Sequence, residues 1–152
     1  MGIFSAATVL ITGGAGSLGQ ALTRHLLDTE QPRSIRIFSR DEYKHAEMER
    51  AFGDDRLRFL IGDVRDRERL TRAMRGVDVV VHAAALKRVD STAYNPAEAV
   101  KTNVIGTMNV IEAALDCGVA RVMALSTDKA AAPLTLYGAT KLTLEKLICD
   151  AN

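Results

Sequence analysis

At 152 residues the chain fits one compact domain, and 47% hydrophobic against 5% aromatic residues, with no Trp, calls for an aliphatic, Ala-rich core. Its 20 Lys and Arg offset 19 Asp and Glu, which removes the electrostatic case for nucleic acid or an acidic membrane surface as a partner. No apolar run approaches the roughly 20 residues of a membrane span, Met1–Ala7 lacks the pattern of a signal peptide, and Cys117 and Cys149 sit in no CxxC or metal-ligand spacing. Free thiols in a reducing cytoplasm, and no metal site, are the expectation.

In chain order, Thr8–Thr12 is a β-branched run ending in glycines, and Ser17–Asp28 has helical spacing at Leu18, Leu22, Leu26 and Leu27. Ser34–Phe38 reads as a second strand and Glu42–Ala51 as a polar helix closed by the turn Gly53-Asp54-Asp55. Arg58–Ile61 is a third strand, followed by a helix over Asp66–Met74 with Asp66 as its N-cap. Asp78–His82 is almost continuously apolar, the mark of burial on both faces. Pro96–Cys117 reads as one long helix stopped by Gly118, Arg121–Leu125 as a fifth strand and Leu136–Asp150 as a last helix. Such alternation predicts one α/β domain over 1–152, a parallel sheet of about five strands between two helix layers with right-handed crossovers. A doubly wound sheet usually carries a sixth strand, so a following substrate-binding part is expected to be absent after Asn152.

The first strand runs into Thr12-Gly13-Gly14-Ala15-Gly16-Ser17-Leu18-Gly19 and opens a helix. That context turns a weak glycine pattern into the dinucleotide-binding fingerprint of a Rossmann-type fold. Gly13 and Gly14 permit the tight turn, Gly16 lets backbone approach a pyrophosphate, and Gly19 lets helix and strand pack closely, while the helix N-terminus offers N–H groups to the anion. The second strand ends Phe38-Ser39-Arg40-Asp41. An NAD site places a carboxylate near this point, whereas an Arg fork suits the 2′-phosphate of NADP, with Ser39 as a second donor and Lys44 adding charge one turn on. NADP is therefore expected over NAD; the alternative is a surface Arg beside Asp41 and Glu42. After the third strand, Asp63 can accept from an adenine amino group and Val64 can flank the ring. Ala83, Ala84 and Ala85 after the fourth allow close approach of the cofactor.

The fifth strand ends Leu125-Ser126-Thr127-Asp128-Lys129, and eight residues beyond Lys129 comes Tyr137-Gly138-Ala139-Thr140-Lys141. Tyr137 and Lys141, at i and i+4, share one helix face. A lysine ammonium stabilises a neighbouring phenolate, so the tyrosine can take a proton from a substrate hydroxyl while the lysine holds the nicotinamide ribose. Asp128 and Lys129 are candidate chemistry or an exposed loop ion pair, and spacing leaves both open.

These segments together resemble the N-terminal half of an extended short-chain dehydrogenase/reductase, and within that superfamily the inverting UDP-N-acetylglucosamine 4,6-dehydratases of bacterial surface-polysaccharide or flagellin-glycan biosynthesis. LITGGAGSLG (10–19), FSRDE (38–42), IGDVRD (61–66), HAAALKRV (82–89), NPAEAVKTNVIGT (95–107), ALSTDKAA (124–131) and LYGATK (136–141) carry the likeness. It implies Tyr137 as base at the sugar C4 hydroxyl, Lys129 as base at C5, in a buried setting, and Asp128 as acid at the departing C6 hydroxyl. Thr127 and Lys87 would lie at the substrate, and Lys87, Leu125 and Ser126 at the cofactor. The full-length enzyme would be a homo-oligomer of the cytoplasm. Asn103 is expected to make a structural hydrogen bond, with a proton-relay role second. The chain departs from the family at Arg88 and Asp90, where it commonly has His and Pro, and at Ala132, where it often has Asn. A nucleotide-sugar epimerase or reductase, and a non-catalytic dinucleotide-binding fragment, are the rival expectations.

Overall fold

A computed structural model describes residues 2–151. Five strands, β1 (Thr8–Thr12), β2 (Ser34–Ser39), β3 (Leu57–Ile61), β4 (Val79–His82) and β5 (Arg121–Ala124), form one parallel sheet in the order β3-β2-β1-β4-β5. The order reverses between β1 and β4, where Thr12 pairs with His82. Ligands of open α/β sheets bind in the crevice beyond that reversal.

The sheet is covered on both faces. Val9 and Ile11 of β1 pack with Ile35 and Ile37 against Leu26 and Leu27 of α1 (Ser17–Thr29) and Met48 of α2 (Glu42–Phe52). Leu10 and Val80 point the other way, to Leu70 and Met74 of α3 (Arg67–Met74) and Val110 of α6 (Gly106–Asp116). Alternation of side chains across a strand buried on both sides explains why β1 is apolar without a polar face. β5 is an edge strand, and its Arg121 and Met123 are exposed. Asp41 accepts from the Lys44 amide and Asp66, as expected, from the Arg69 amide, capping α2 and α3.

The long helix differs from its expectation. It is built as α5 (Pro96–Val100), a π-helical turn over Lys101–Ile105, and α6. The extra residue in that turn carries Asn103, wholly buried, onto the backbone of Leu86 and the hydroxyl of Thr140. A short helix α4 (Val89–Tyr94), unanticipated in a polar stretch without periodicity, precedes it. A 3₁₀ turn at Asp128–Ala130 leads to α7 (Leu136–Cys149), capped by Thr135. Among the described residues no helix is long and apolar enough to cross a membrane.

Candidate active site

The glycine turn has the stereochemistry its sequence predicts. Gly13 has φ +66, and a Cβ there would lie 2.9 Å from the Ala84 backbone. A Cβ on Gly14 would meet the Ile11 carbonyl at 2.8 Å, and one on Gly19 the Gly14 carbonyl oxygen at 2.2 Å. At Gly16 the nearest atom would be the Gly13 carbonyl at 3.2 Å, so its bareness serves the open side of the turn. α1 starts at this turn without a side-chain cap and without an acidic residue in its first turn, unlike the capped α2, α3 and α7. Its first amides are thus left for an anion, and the donor set fits a dinucleotide pyrophosphate.

Two clefts flank the turn. The first, of about 280 Å³, is lined by Gly13, Ala15 and Gly16, by Ser39, Arg40, Asp41 and Lys44 at the end of β2, and by Asp63, Val64 and Ala84. Arg40 is largely exposed and lies 3.7 Å from Asp63. Asp63, expected at an adenine amino group, lines this cleft, and its carboxylate also accepts from the Arg65 amide at 2.9 Å and from the Arg65 guanidinium at 3.0 and 2.8 Å. Burial acts to raise the Asp63 pKa, but these hydrogen bonds and the charges of Arg65 and Arg40 outweigh it and hold the carboxyl below its ordinary range. Asp41 is occupied as the α2 cap and pairs with Lys44 at 3.7 Å. Ser39 Oγ lies 2.7 Å from Nε2 of the buried His45.

The second cleft, about 170 Å³, brings Ser17, Leu18 and Gly19 of α1 together with Ala83, Lys87, Leu125, Ser126, Tyr137 and Lys141. Lys141 is 4% exposed and donates from Nζ to the Leu125 carbonyl at 2.5 Å. Burial pushes its pKa down against the opposing charge of Glu145, which Ser126 holds by a short hydrogen bond. Tyr137 and Lys141 thus open on the same space as the glycine turn, one phenol and one ammonium beside it.

Thr127, Asp128 and Lys129 line neither cleft. Thr127 Oγ1 donates to Asp128 at 3.0 Å, and Lys129 Nζ sits 3.4 Å from the same carboxylate. The side chains of Lys129 and Asp128 are 51% and 86% exposed, so the pair is an exposed loop ion pair. The burial expected at Lys129 falls instead on Lys141, because the 3₁₀ turn carries the Asp128 and Lys129 side chains outward and buries Ala130, while α7 buries its inner face. The Thr127 hydroxyl and then Lys129 keep Asp128 below the usual carboxylate range.

Two features had little signal in the sequence. Gly138 is required by packing: a Cβ there would be 2.1 Å from the Lys129 carbonyl oxygen and 3.0 Å from Pro133. The bare position seats the Asp128–Lys129 turn against the start of α7. The second is a buried line of hydrogen bonds. Amides of Ala83 and Ala84 donate to Thr12 Oγ1, which lies 2.7 Å from His82 Nδ1. His82 Nε2 lies 3.0 Å from Thr107 Oγ1, which donates to the Asn103 carbonyl. Because Thr107 spends its hydrogen on Asn103, His82 carries its hydrogen on Nε2 and accepts from Thr12 at Nδ1. Burial, then the charge of Lys141, pushes the His82 pKa down to about 3, so the ring is neutral. Asn103, bonded to Leu86 and Thr140, has the structural role expected of it.

Known proteins resemble this chain in sequence and fold. An inverting UDP-N-acetylglucosamine 4,6-dehydratase of Campylobacter jejuni is 52% identical over 150 residues, 99% of this chain and 45% of that protein. The X-ray structure of Pen from Bacillus thuringiensis superposes with a TM-score of 0.94 at 44% identity, covering 97% of this chain and 45% of the other. DesIV from Streptomyces venezuelae, a dTDP-glucose 4,6-dehydratase solved with NAD and TYD bound, gives 0.85 at 32% identity over 92% of this chain and 50% of the other. The chain spans about 45% of the length of the Campylobacter jejuni relatives it matches. The family described as polysaccharide biosynthesis protein matches residues 9–152, and with the sheet order, glycine turn and Tyr137–Lys141 pair in place the chain belongs to that family of extended short-chain dehydrogenases/reductases.

Proposed function

We propose that this chain is the cofactor-binding, catalytic portion of a cytoplasmic NADP-dependent, C5-inverting UDP-N-acetylglucosamine 4,6-dehydratase of surface-polysaccharide or flagellin-glycan biosynthesis, working as a homo-oligomer. The observation that carries the reading is the convergence of Tyr137 and Lys141 on the cleft beside the glycine turn, with the Asp128–Lys129 pair seated on the same helix start. The name of the Campylobacter jejuni relative supports the substrate.

The turn from Gly13 to Gly19 would hold the pyrophosphate, Arg40 and Ser39 the 2′-phosphate, and Lys141 the nicotinamide ribose. A dinucleotide held there would supply hydride chemistry, oxidation at sugar C4 and reduction at C6. Tyr137 takes the C4 hydroxyl proton, and the buried ammonium of Lys141 stabilises the phenolate. The 4-keto group acidifies C5; Lys129 removes that proton while Asp128 gives one to the C6 hydroxyl, which leaves as water. Asp128 and Lys129 begin as an ion pair 3.4 Å apart. Exclusion of water by the sugar favours their uncharged forms, so one proton passed from ammonium to carboxylate arms acid and base together. Thr127 and Lys87 position the sugar.

A second reading, NAD in place of NADP, draws on the NAD bound to DesIV. Calorimetric titration with each dinucleotide separates the two: tighter NADP⁺ binding, weakened by Arg40→Ala, is expected, and equal binding overturns the 2′-phosphate assignment. For the reaction, the full-length protein with UDP-N-acetylglucosamine is expected to give a product one water lighter without net consumption of cofactor. An isomer of unchanged mass indicates an epimerase, and net oxidation or reduction of cofactor a reductase.

A further inference from the structure

His45 has one nitrogen bonded and one buried with nothing to bond. Its Nε2 lies 2.7 Å from Ser39 Oγ, and Nδ1 has no hydrogen-bond partner among the described residues. The ring is 5% exposed and packs against Phe59, with centroids 5.5 Å apart. Burial pushes its pKa down against the charge of Asp41, so it carries a single N–H. On Nδ1 that hydrogen would be a buried donor without an acceptor, the rarer and costlier defect; on Nε2 it is spent on Ser39. Ser39 Oγ then accepts from His45, and its own hydrogen is free for the cleft that Ser39 shares with Arg40.

We propose that His45 is a positioning residue that fixes the Ser39 hydroxyl as a hydrogen-bond donor into the cleft, and that it thereby selects a cofactor bearing a phosphate on its adenosine ribose. This rests on the NADP reading above. A phosphate oxygen accepts only, so a hydroxyl whose acceptor side is already filled is matched to it before binding. A ribose hydroxyl, free to donate as well as accept, gains less from that fixed polarity. Arg40 supplies charge, and His45 supplies the direction of the neighbouring bond.

The test has two parts. Long-range proton–nitrogen NMR of the chain reports the tautomer of each of its 3 histidines, and His45→Gln identifies the His45 signals. The Nε2–H form is expected, and an Nδ1–H form overturns the inference while leaving the NADP reading intact. Calorimetric titration with NADP⁺ and NAD⁺ is then compared across Ser39→Ala, His45→Met, the double variant and His45→Gln, whose amide can still donate. Ser39→Ala and His45→Met are each expected to weaken NADP⁺ roughly tenfold with NAD⁺ unchanged, the double variant no further, and His45→Gln to recover most of the loss. Equal weakening of both dinucleotides overturns the positioning role in favour of a purely structural one. A wild-type chain that prefers NAD⁺ overturns the NADP reading and this inference with it.

Discussion

Single residues hold this site in place more than its catalytic names suggest. His82 stands in the middle of a buried line of donors and acceptors, uncharged down to a pH of about 3. The unfolded chain protonates this ring near 6.5, so the unfolded state binds more protons between 6.5 and about 3. Stability is whole above 6.5 and drains as pH falls towards about 3. Urea midpoints are expected to fall over that interval, and His82→Gln, weaker at neutral pH, to show a shallower fall. Ala132 offers the opposite opportunity: its φ of 47 is left-handed, where a β-carbon is crowded. Ala132→Asn is expected to stabilise the chain by about 0.5 kcal/mol, since Asn tolerates that region, and denaturant unfolding checks it. At this scale the sequence was legible where chemistry follows spacing, as with Tyr137 and Lys141 four residues apart. It was not legible where a partner decides, as with the pairing of Asp63 to Arg65 two residues on.

At the scale of elements, all five strands and the glycine turn could be read directly, and in β1 and β4 burial on both faces writes itself as an apolar run. The π-helical turn could not. It exists because Asn103 reaches Leu86 and Thr140, contacts made across 17 and 37 residues that no local periodicity records. Gly138 likewise reads as a helix residue until its backbone meets Lys129. Gly138→Ala is expected to push the Asp128–Lys129 turn off α7. On the acid and base roles proposed for Asp128 and Lys129, it is expected to lower kcat of the full-length protein by at least tenfold, while NADP⁺ affinity stays within about twofold. Loss of cofactor binding as well would mean that α7 itself had moved.

Over the whole molecule, the helix layers leave an uneven surface. Leu115 is 62% exposed and Met108 43% exposed on α6, beside α7. Exposed apolar side chains at neighbouring positions favour association, so sedimentation of this chain is expected to shift with concentration, and Leu115→Lys with Met108→Lys to remove the shift. A monomer at every concentration in the unsubstituted chain contradicts this.

The hydrogen-bonded line through Thr12, His82, Thr107 and Asn103 has a last consequence. Every hydrogen in it has one direction, and it begins on backbone amides and ends on a backbone carbonyl. Neither terminus can release or accept a proton in exchange, so the line is a strut and not a wire. It ties the ends of β1 and β4 to α6 in one arrangement.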